Sequence, residues 1–198
     1  MSGSEEATSL SPWWRYSAIL VMIAGFAVLS YLTVRTYTDA PPIPDRVEDT
    51  SGRTLFASAD ILRGQEVFLK YGLMEHGTLW GHGAYLGPDY SADTLHEAVE
   101  VGRDTLAQAR YGQPYATLEA GVAAEIADGV RRELKQNRYD PATGTLRFTA
   151  IEAAAFAASR RHWADYFSGP TAAAGLPLKY IRERRELDDL ATYFTWAA

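Results

Sequence analysis

Uncharged, mostly apolar positions run without a break from Ser17 to Val34 (SAILVMIAGFAVLSYLTV), between Arg15 and Arg35. As a helix this run rises roughly 27 Å, close to the hydrocarbon thickness of a bilayer. Trp13, Trp14 and Tyr16 cluster at its start and Tyr31 and Tyr37 towards its end, where aromatic rings meet the two headgroup layers. The pattern predicts a tail over 1–16 and a transmembrane helix over 17–37. A cleaved signal peptide would want a basic start, a shorter apolar core and a small-residue cleavage site; this tail carries Glu5 and Glu6 instead. Arg15 and Arg35 balance across the helix, so charge alone chooses no orientation.

Beyond the helix the pattern breaks into short elements. Ala40 to Pro44 (APPIP) is extended, because each proline fixes its own φ and biases its predecessor away from helix. Val47 to Phe56 places Ser-Gly between two β-prone runs, a hairpin signal, and Ser58 or Asp60 caps a helix running to about Gly72. Residues 73 to 90 hold Gly77, Gly81, Gly83, Gly87 and Pro88, which predicts a structured loop without regular helix. Ser91 opens a helix whose apolar stripe is Leu95, Val99, Gly102, Leu106 and Ala109. A second stripe, Leu118, Val122, Ile126, Val130 and Leu134, spans 117 to 137, and both read as core faces.

Tyr139 to Phe148 reads as another hairpin around Asp-Pro and Gly144. Thr149 and Glu152 then have capping-box spacing for a helix to about Tyr166, stopped by Gly169 and Pro170. Glu183 to Ala198 starts charged and turns apolar and aromatic, like the opening turns of an element that continues; residues 182–198 are accordingly set apart from 38–181.

Composition then removes whole classes of chemistry. The formal net charge of −6 and the lack of a long basic run give no basis for binding nucleic acid. With no cysteine, the chain has no disulfide, no thiolate-held zinc or iron–sulfur cluster, no cysteine nucleophile and no thioether-attached haem. There is no P-loop, no His-Glu-x-x-His and no nucleophile elbow. His96, Arg160, Arg161 and His162 read as solvated or contact-forming residues. Asp188 and Asp189 are adjacent, and so do not share a helix face for paired-carboxylate chemistry.

One spacing carries more information. Gly64-x-x-Val67-Phe68, with His76 eight positions after the phenylalanine, is the spacing of the first helix of a c-type cytochrome, where a Cys-x-x-Cys-His run binds haem. Gly72 and Glu75 stand at the two cysteine positions, which makes these with His76 the positions of a lost haem c. A lone imidazole is more commonly a structural hydrogen-bonding group than a ligand. The predicted fold class is therefore mostly α: an N-terminal transmembrane helix, then a cytochrome-c-like helical domain with small β-hairpins.

The stretches PPIPDRV (41–47), DILRGQEVFLKYGLMEHGTLWGHGAYLGPDY (60–90) and DDLATYFTWAA (188–198) resemble the amino-terminal region of quinol-dependent, single-chain nitric oxide reductases. The resemblance implies a haem-free cytochrome-c-like domain joined to a catalytic membrane domain related to the haem-copper oxidases. There quinol reduces haem b, and a second haem paired with non-haem iron turns two NO into N2O and water. None of His76, His82, His96 and His162 lies on the apolar run, so that centre belongs outside these residues and this chain itself holds no cofactor. The implied partners are that catalytic domain, fused or separately encoded, and the lipid bilayer. The implied orientation puts the tail in the cytoplasm and residues 38–181 in the periplasm, with 182–198 leading to the catalytic domain.

The resemblance also reaches Gly81-His82-Gly83-Ala84-Tyr85, similar to a loop in related cytochrome subunits that lends backbone carbonyls to calcium. Gly83 and Tyr85 fall at the carbonyl positions, while His82 departs from the usual acid. A tight turn packed against the membrane domain is the other reading of this loop. For the chain as a whole, the alternative is a membrane-tethered binding or sensory module on a cytochrome-like scaffold.

Overall fold

A computed structural model of the chain describes residues 11–169 and 175–198. Glu5, Glu6 and Pro170 lie outside the described residues. The chain divides into two compact units, residues 1–42 and 43–198. In the first, helix α1 (Pro12–Thr38) begins five residues before the predicted start, because Pro12 occupies the first helical turn, where its missing N–H has no carbonyl to serve. At about 40 Å, α1 is long and apolar enough to cross a membrane, and none of it is buried. Thr33, Thr36 and Thr38 return their hydroxyls to the carbonyls of Leu29, Leu32 and Val34 at 2.8–3.0 Å, which satisfies three polar groups within the helix itself.

The second unit is mostly helical, as its pattern predicts. Strands β1 (Arg46–Glu48) and β2 (Thr54–Ala57) form the first hairpin, with Val47 opposite Phe56. Helix α2 (Ser58–Lys70) follows; the carboxylate of Asp60 accepts the N–H of Ala57 at 2.7 Å, so Asp60 caps from inside the first turn rather than at its start. The next segment closes into a 3-10 turn (Leu73–Glu75) and the two-residue strands β3 (Thr78–Leu79) and β4 (His82–Gly83). Helices α3 (Tyr90–Tyr111) and α4 (Ala120–Leu134) come next. The hairpin of β5 (Tyr139–Asp140) and β6 (Thr145–Arg147), then α5 (Ala150–Ser168) and α6 (Arg184–Ala197), complete the unit. Thr149 and Glu152 form the capping box their spacing predicts, at 2.7 and 3.3 Å.

Tertiary pairing joins the two hairpins. β1 runs parallel to β6, Val47 beside Leu146, in a four-stranded sheet of order β2-β1-β6-β5. Around this sheet the core is aromatic: Phe68, Tyr90, Trp163, Phe167 and Phe194 are all buried, and the rings of Tyr90 and Phe194 stack at 4.6 Å. Burying each such ring contributes on the order of 2 kcal/mol.

Residues 182–198, set apart by the pattern, pack within this core: eight of the fourteen residues of α6 are buried, and α2, α3 and α5 all contact it. The predicted α3 stripe is also redrawn. Its buried positions are Tyr90, Ser91, Thr94, Gly102 and Ala107, while Leu95 and Ala109 are exposed, because α3 turns a different face to α5 than the apolar count suggested. In α4 the inner part of the stripe holds, with Ile126 and Val130 buried.

The α2–α6 crossing is set by Gly64. A Cβ there would collide with the carbonyl oxygen of Asp189 and stand 2.6 Å from Cβ of Tyr193. Gly64→Ala is predicted to destabilise the domain by about 3 kcal/mol, since backbone cannot yield as a side chain can. Gly121→Ala, which meets open space in α4, is predicted to leave stability within about 1 kcal/mol. Thermal unfolding followed by near-ultraviolet circular dichroism measures both, and equal midpoints for the two variants would refute the close crossing.

Candidate functional site

The residues singled out by sequence lie on α2 and the loop after it. Gly72 ends α2 at φ 58°, a left-handed position suited to glycine. Glu75 is exposed in the 3-10 turn, and His76 is 5% exposed. The Nε2 of His76 lies 2.8 Å from the hydroxyl of Tyr166 on α5, so the nitrogen that would face a metal already has a protein partner. Gly87 covers the ring so closely that a Cβ there would lie 2.5 Å from the same nitrogen. Burial lowers the pKa of His76, favouring neutral imidazole. The arrangement supports a structural histidine that fastens the loop: its carbonyl accepts the N–H of Leu86 at 3.1 Å and of Gly87 at 2.6 Å.

Asp89 holds the other side of the loop. One carboxylate oxygen accepts the Ser91 hydroxyl at 2.6 Å and the Ala92 N–H at 2.9 Å, and so caps α3. The other accepts the Thr78 hydroxyl at 2.7 Å and the Gly81 N–H at 2.6 Å. Partial burial pushes the pKa of Asp89 up, but these four donors outweigh it and hold the value at about 2. Sequence reasoning gave the helix start to Ser91; the Pro-Asp pair just before it was the available signal for Asp89. No local signal pointed to Tyr166, ninety residues from its partner.

Trp80 closes the loop onto α6. Its φ of 53° is uncommon for a side chain of that size, and two bonds maintain it: Trp80 N–H to the Ser91 hydroxyl at 3.0 Å, and the indole N–H to the carbonyl of Ala197 at 2.7 Å. Gly83 has φ 138°, and a Cβ would collide with the carbonyl of Gly77 and lie 3.0 Å from that of Met74. Tyr85 is 84% exposed, and its hydroxyl reaches the Gly81 carbonyl at 3.3 Å. The loop therefore displays Trp80, Tyr85 and Leu86, respectively 53%, 84% and 72% exposed, on a backbone fixed from beneath.

Among the remaining candidates, Arg160, Asp188 and Asp189 form ion pairs. His162 lies 2.9 Å from Asp93, and Arg160 reaches Asp188 at 2.7 Å. Arg63 holds the buried Asp189 at 3.0 and 3.1 Å. The adjacent aspartates thus serve two different neighbours, α5 and α2. Arg161, His96 and His82 are exposed. Among the described residues no group of three or more His, Cys, Asp or Glu side chains is placed to hold a metal.

A helical domain closed by the crossing of its first and last large helices, with a histidine-bearing loop after the first and no thiol to hold porphyrin, is a cytochrome-c-like domain without covalent haem. Over residues 44–198 the chain matches the cytochrome c-like domain of NorB, a nitric oxide reductase subunit, and it belongs to that family. A comparison with curated proteins finds no match.

The capping carboxylate yields a pH prediction. A folded pKa of about 2 against an ordinary 3.8 means that Asp89 contributes stability fully above pH 3.8, lost as pH falls towards 2. Asp89→Asn should cost about 2 kcal/mol at neutral pH and flatten the pH dependence between 4 and 2. Urea unfolding across that range measures it; an unchanged slope in the variant would exclude Asp89 as its source.

Proposed function

We propose that this chain is the amino-terminal part of a quinol-dependent nitric oxide reductase, in which it anchors and docks while catalysis lies outside residues 1–198. The observation that carries the reading is the family match over 44–198, joined to a helix preceding it that is long and apolar enough to span a bilayer. In this reading α1 crosses the inner membrane of a bacterium, with the tail cytoplasmic and the domain periplasmic. The complete enzyme takes two electrons from a quinol and two protons, and converts two NO into N2O and water in denitrification or NO detoxification. Haem b and non-haem iron supply that redox chemistry from the catalytic partner.

What this chain's residues do follows from their chemistry. His76, neutral and bonded to Tyr166, secures the loop and does not ligate. Tyr90, Trp163, Phe167 and Phe194 supply the interior packing of a domain with no covalent porphyrin. The exposed Trp80, Tyr85 and Leu86 are the docking face for the catalytic region, since large rings held on a rigid backbone give contact area at little conformational cost.

Calcium is the one ion that the loop is suited to share. Backbone carbonyls suit a hard cation, and the missing side chain of Gly83 lets the carbonyls of Gly77 and Met74 pack against it and fix its backbone. Both oxygens of Asp89 are already engaged by four donors, so the loop offers carbonyls at Gly83 and Tyr85 and little else. Two carbonyls are a minority of the roughly six to eight oxygens that calcium takes, so the fit is to a bridging site completed by the partner.

Purified alone, the chain is expected to show no Soret band and to consume no NO. Co-expressed with its catalytic region, it should support NO consumption that requires added quinol. A Soret band or NO turnover by the isolated polypeptide, measured by absorbance and an NO electrode, would overturn the proposal.

A further inference from the structure

The hydroxyl of Tyr166, on α5, meets a base. Nε2 of the buried His76 lies 2.8 Å away, within reach for a direct proton transfer. Burial lowers the pKa of His76, so at neutral pH its imidazole is uncharged and has a lone pair to offer. A phenol is a stronger acid than a neutral imidazole N–H, so the shared proton sits on oxygen and Nε2 accepts the bond. Burial and, after it, the charge of Asp93 raise the pKa of Tyr166, which keeps the phenol protonated. The same carboxylate, 2.9 Å from His162, favours positive charge arising on the pair.

Neighbouring rings have poorer acceptors. Trp163, its ring centre 5.5 Å from that of Tyr166, gives its indole N–H to the Thr94 hydroxyl at 3.0 Å. Tyr90, 5.5 Å beyond Trp163, gives its hydroxyl to the Leu73 carbonyl at 3.3 Å. Neither a hydroxyl nor an amide carbonyl takes up a proton near neutral pH. Tyr71 bonds a carboxylate, Glu186, at 2.7 Å, but hydrogen bonds from Lys70 and from Tyr71 itself lower the pKa of Glu186 and make it a weak base. Removing an electron from a phenol makes its O–H strongly acidic, so oxidation is easiest where a base stands ready to take the proton. Among these four rings that place is Tyr166, which is half-buried and thus close to an oxidant at the surface.

We infer that Tyr166 and His76 form a proton-coupled redox site, in which the phenol yields its electron to a one-electron oxidant of the nitrogen dioxide class and its proton to Nε2 of His76. Nitrogen dioxide gains the electron and leaves as nitrite. The O–H bond breaks as the new N–H bond forms, leaving a neutral phenoxyl radical beside an imidazolium. A second nitrogen dioxide then forms a C–N bond at the ring carbon next to the C–O carbon, that carbon's hydrogen moves to the oxygen, and the imidazolium releases its proton to water. The product is nitrotyrosine at position 166. The inference needs neither haem nor a catalytic partner, and so stands apart from the reductase reading.

The test exposes the full chain in detergent to nitrogen dioxide made by photo-oxidation of nitrite, at doses that leave most chains without a nitro group, and maps nitrated tyrosines by peptide mass spectrometry. Tyr85, 84% exposed, is the reference, because exposure alone would favour it. In the native chain Tyr166 should carry several times the nitration of Tyr85. His76→Gln keeps a side chain able to hydrogen-bond but removes the base; nitration at Tyr166 should fall about tenfold or more, with Tyr85 unchanged. A loosened loop would instead expose Tyr166 and raise its nitration, so the direction of change separates a lost base from lost packing. Greater nitration at Tyr85 than at Tyr166 in the native chain would overturn the inference without recourse to any variant. So would undiminished nitration of Tyr166 in His76→Gln chains whose near-ultraviolet circular dichroism matches the native.

Discussion

The domain depends on how closely α6 approaches α2. At Gly64 the two backbones nearly touch, and this contact sets the depth at which every other side chain of the crossing sits. Phe68 then meets Tyr193 at 5.7 Å and Phe194 at 6.1 Å, and Arg63 reaches Asp189. Lys70 and Tyr71, at the far end of α2, grip Glu186 at 2.5 and 2.7 Å. A buried ion pair contributes little net stability, because desolvation offsets its attraction. Its contribution here is register: an α6 slipped by one residue would leave Asp189 without its guanidinium.

The crossing also places Phe194 and Ala197 of α6. Phe194 stacks on Tyr90, the first residue of α3, and Ala197 presents its carbonyl to the indole of Trp80. The loop of residues 77–89 is consequently held at three points: by α6 through Trp80, by α3 through Asp89 and by α5 through His76 and Tyr166. Within the loop Asp89 bonds Thr78 and Gly81 and β3 pairs with β4, and the helices beneath it add the three outer holds. A fixed backbone carrying exposed rings suits docking, where immobilising a flexible loop would otherwise weaken association.

In this cytochrome-c-like domain without thiols, His76 is a buried hydrogen-bonding group. The imidazole bonds a phenol, rings fill the interior, and the loop displays Trp80, Tyr85 and Leu86 at its surface. These features belong to a chain of the NorB cytochrome c-like domain family.

Local rules made much of this legible from residue order. The apolar run of α1, the hairpins around Ser51-Gly52 and Gly144, the capping box at Thr149 and Glu152, and the Gly64-x-x-Val67-Phe68 spacing before His76 all act within a few residues. The lack of cysteine removed covalent haem outright. Contacts between distant residues were decided only by tertiary structure: β1 beside β6, Tyr166 against His76, Asp89 across the loop, α6 inside the core, and Leu95 outside it. Periodicity shows that a helix has an apolar face, but which part of that face is covered depends on where its neighbours cross, and Gly64 sets that crossing only once α6 is in place.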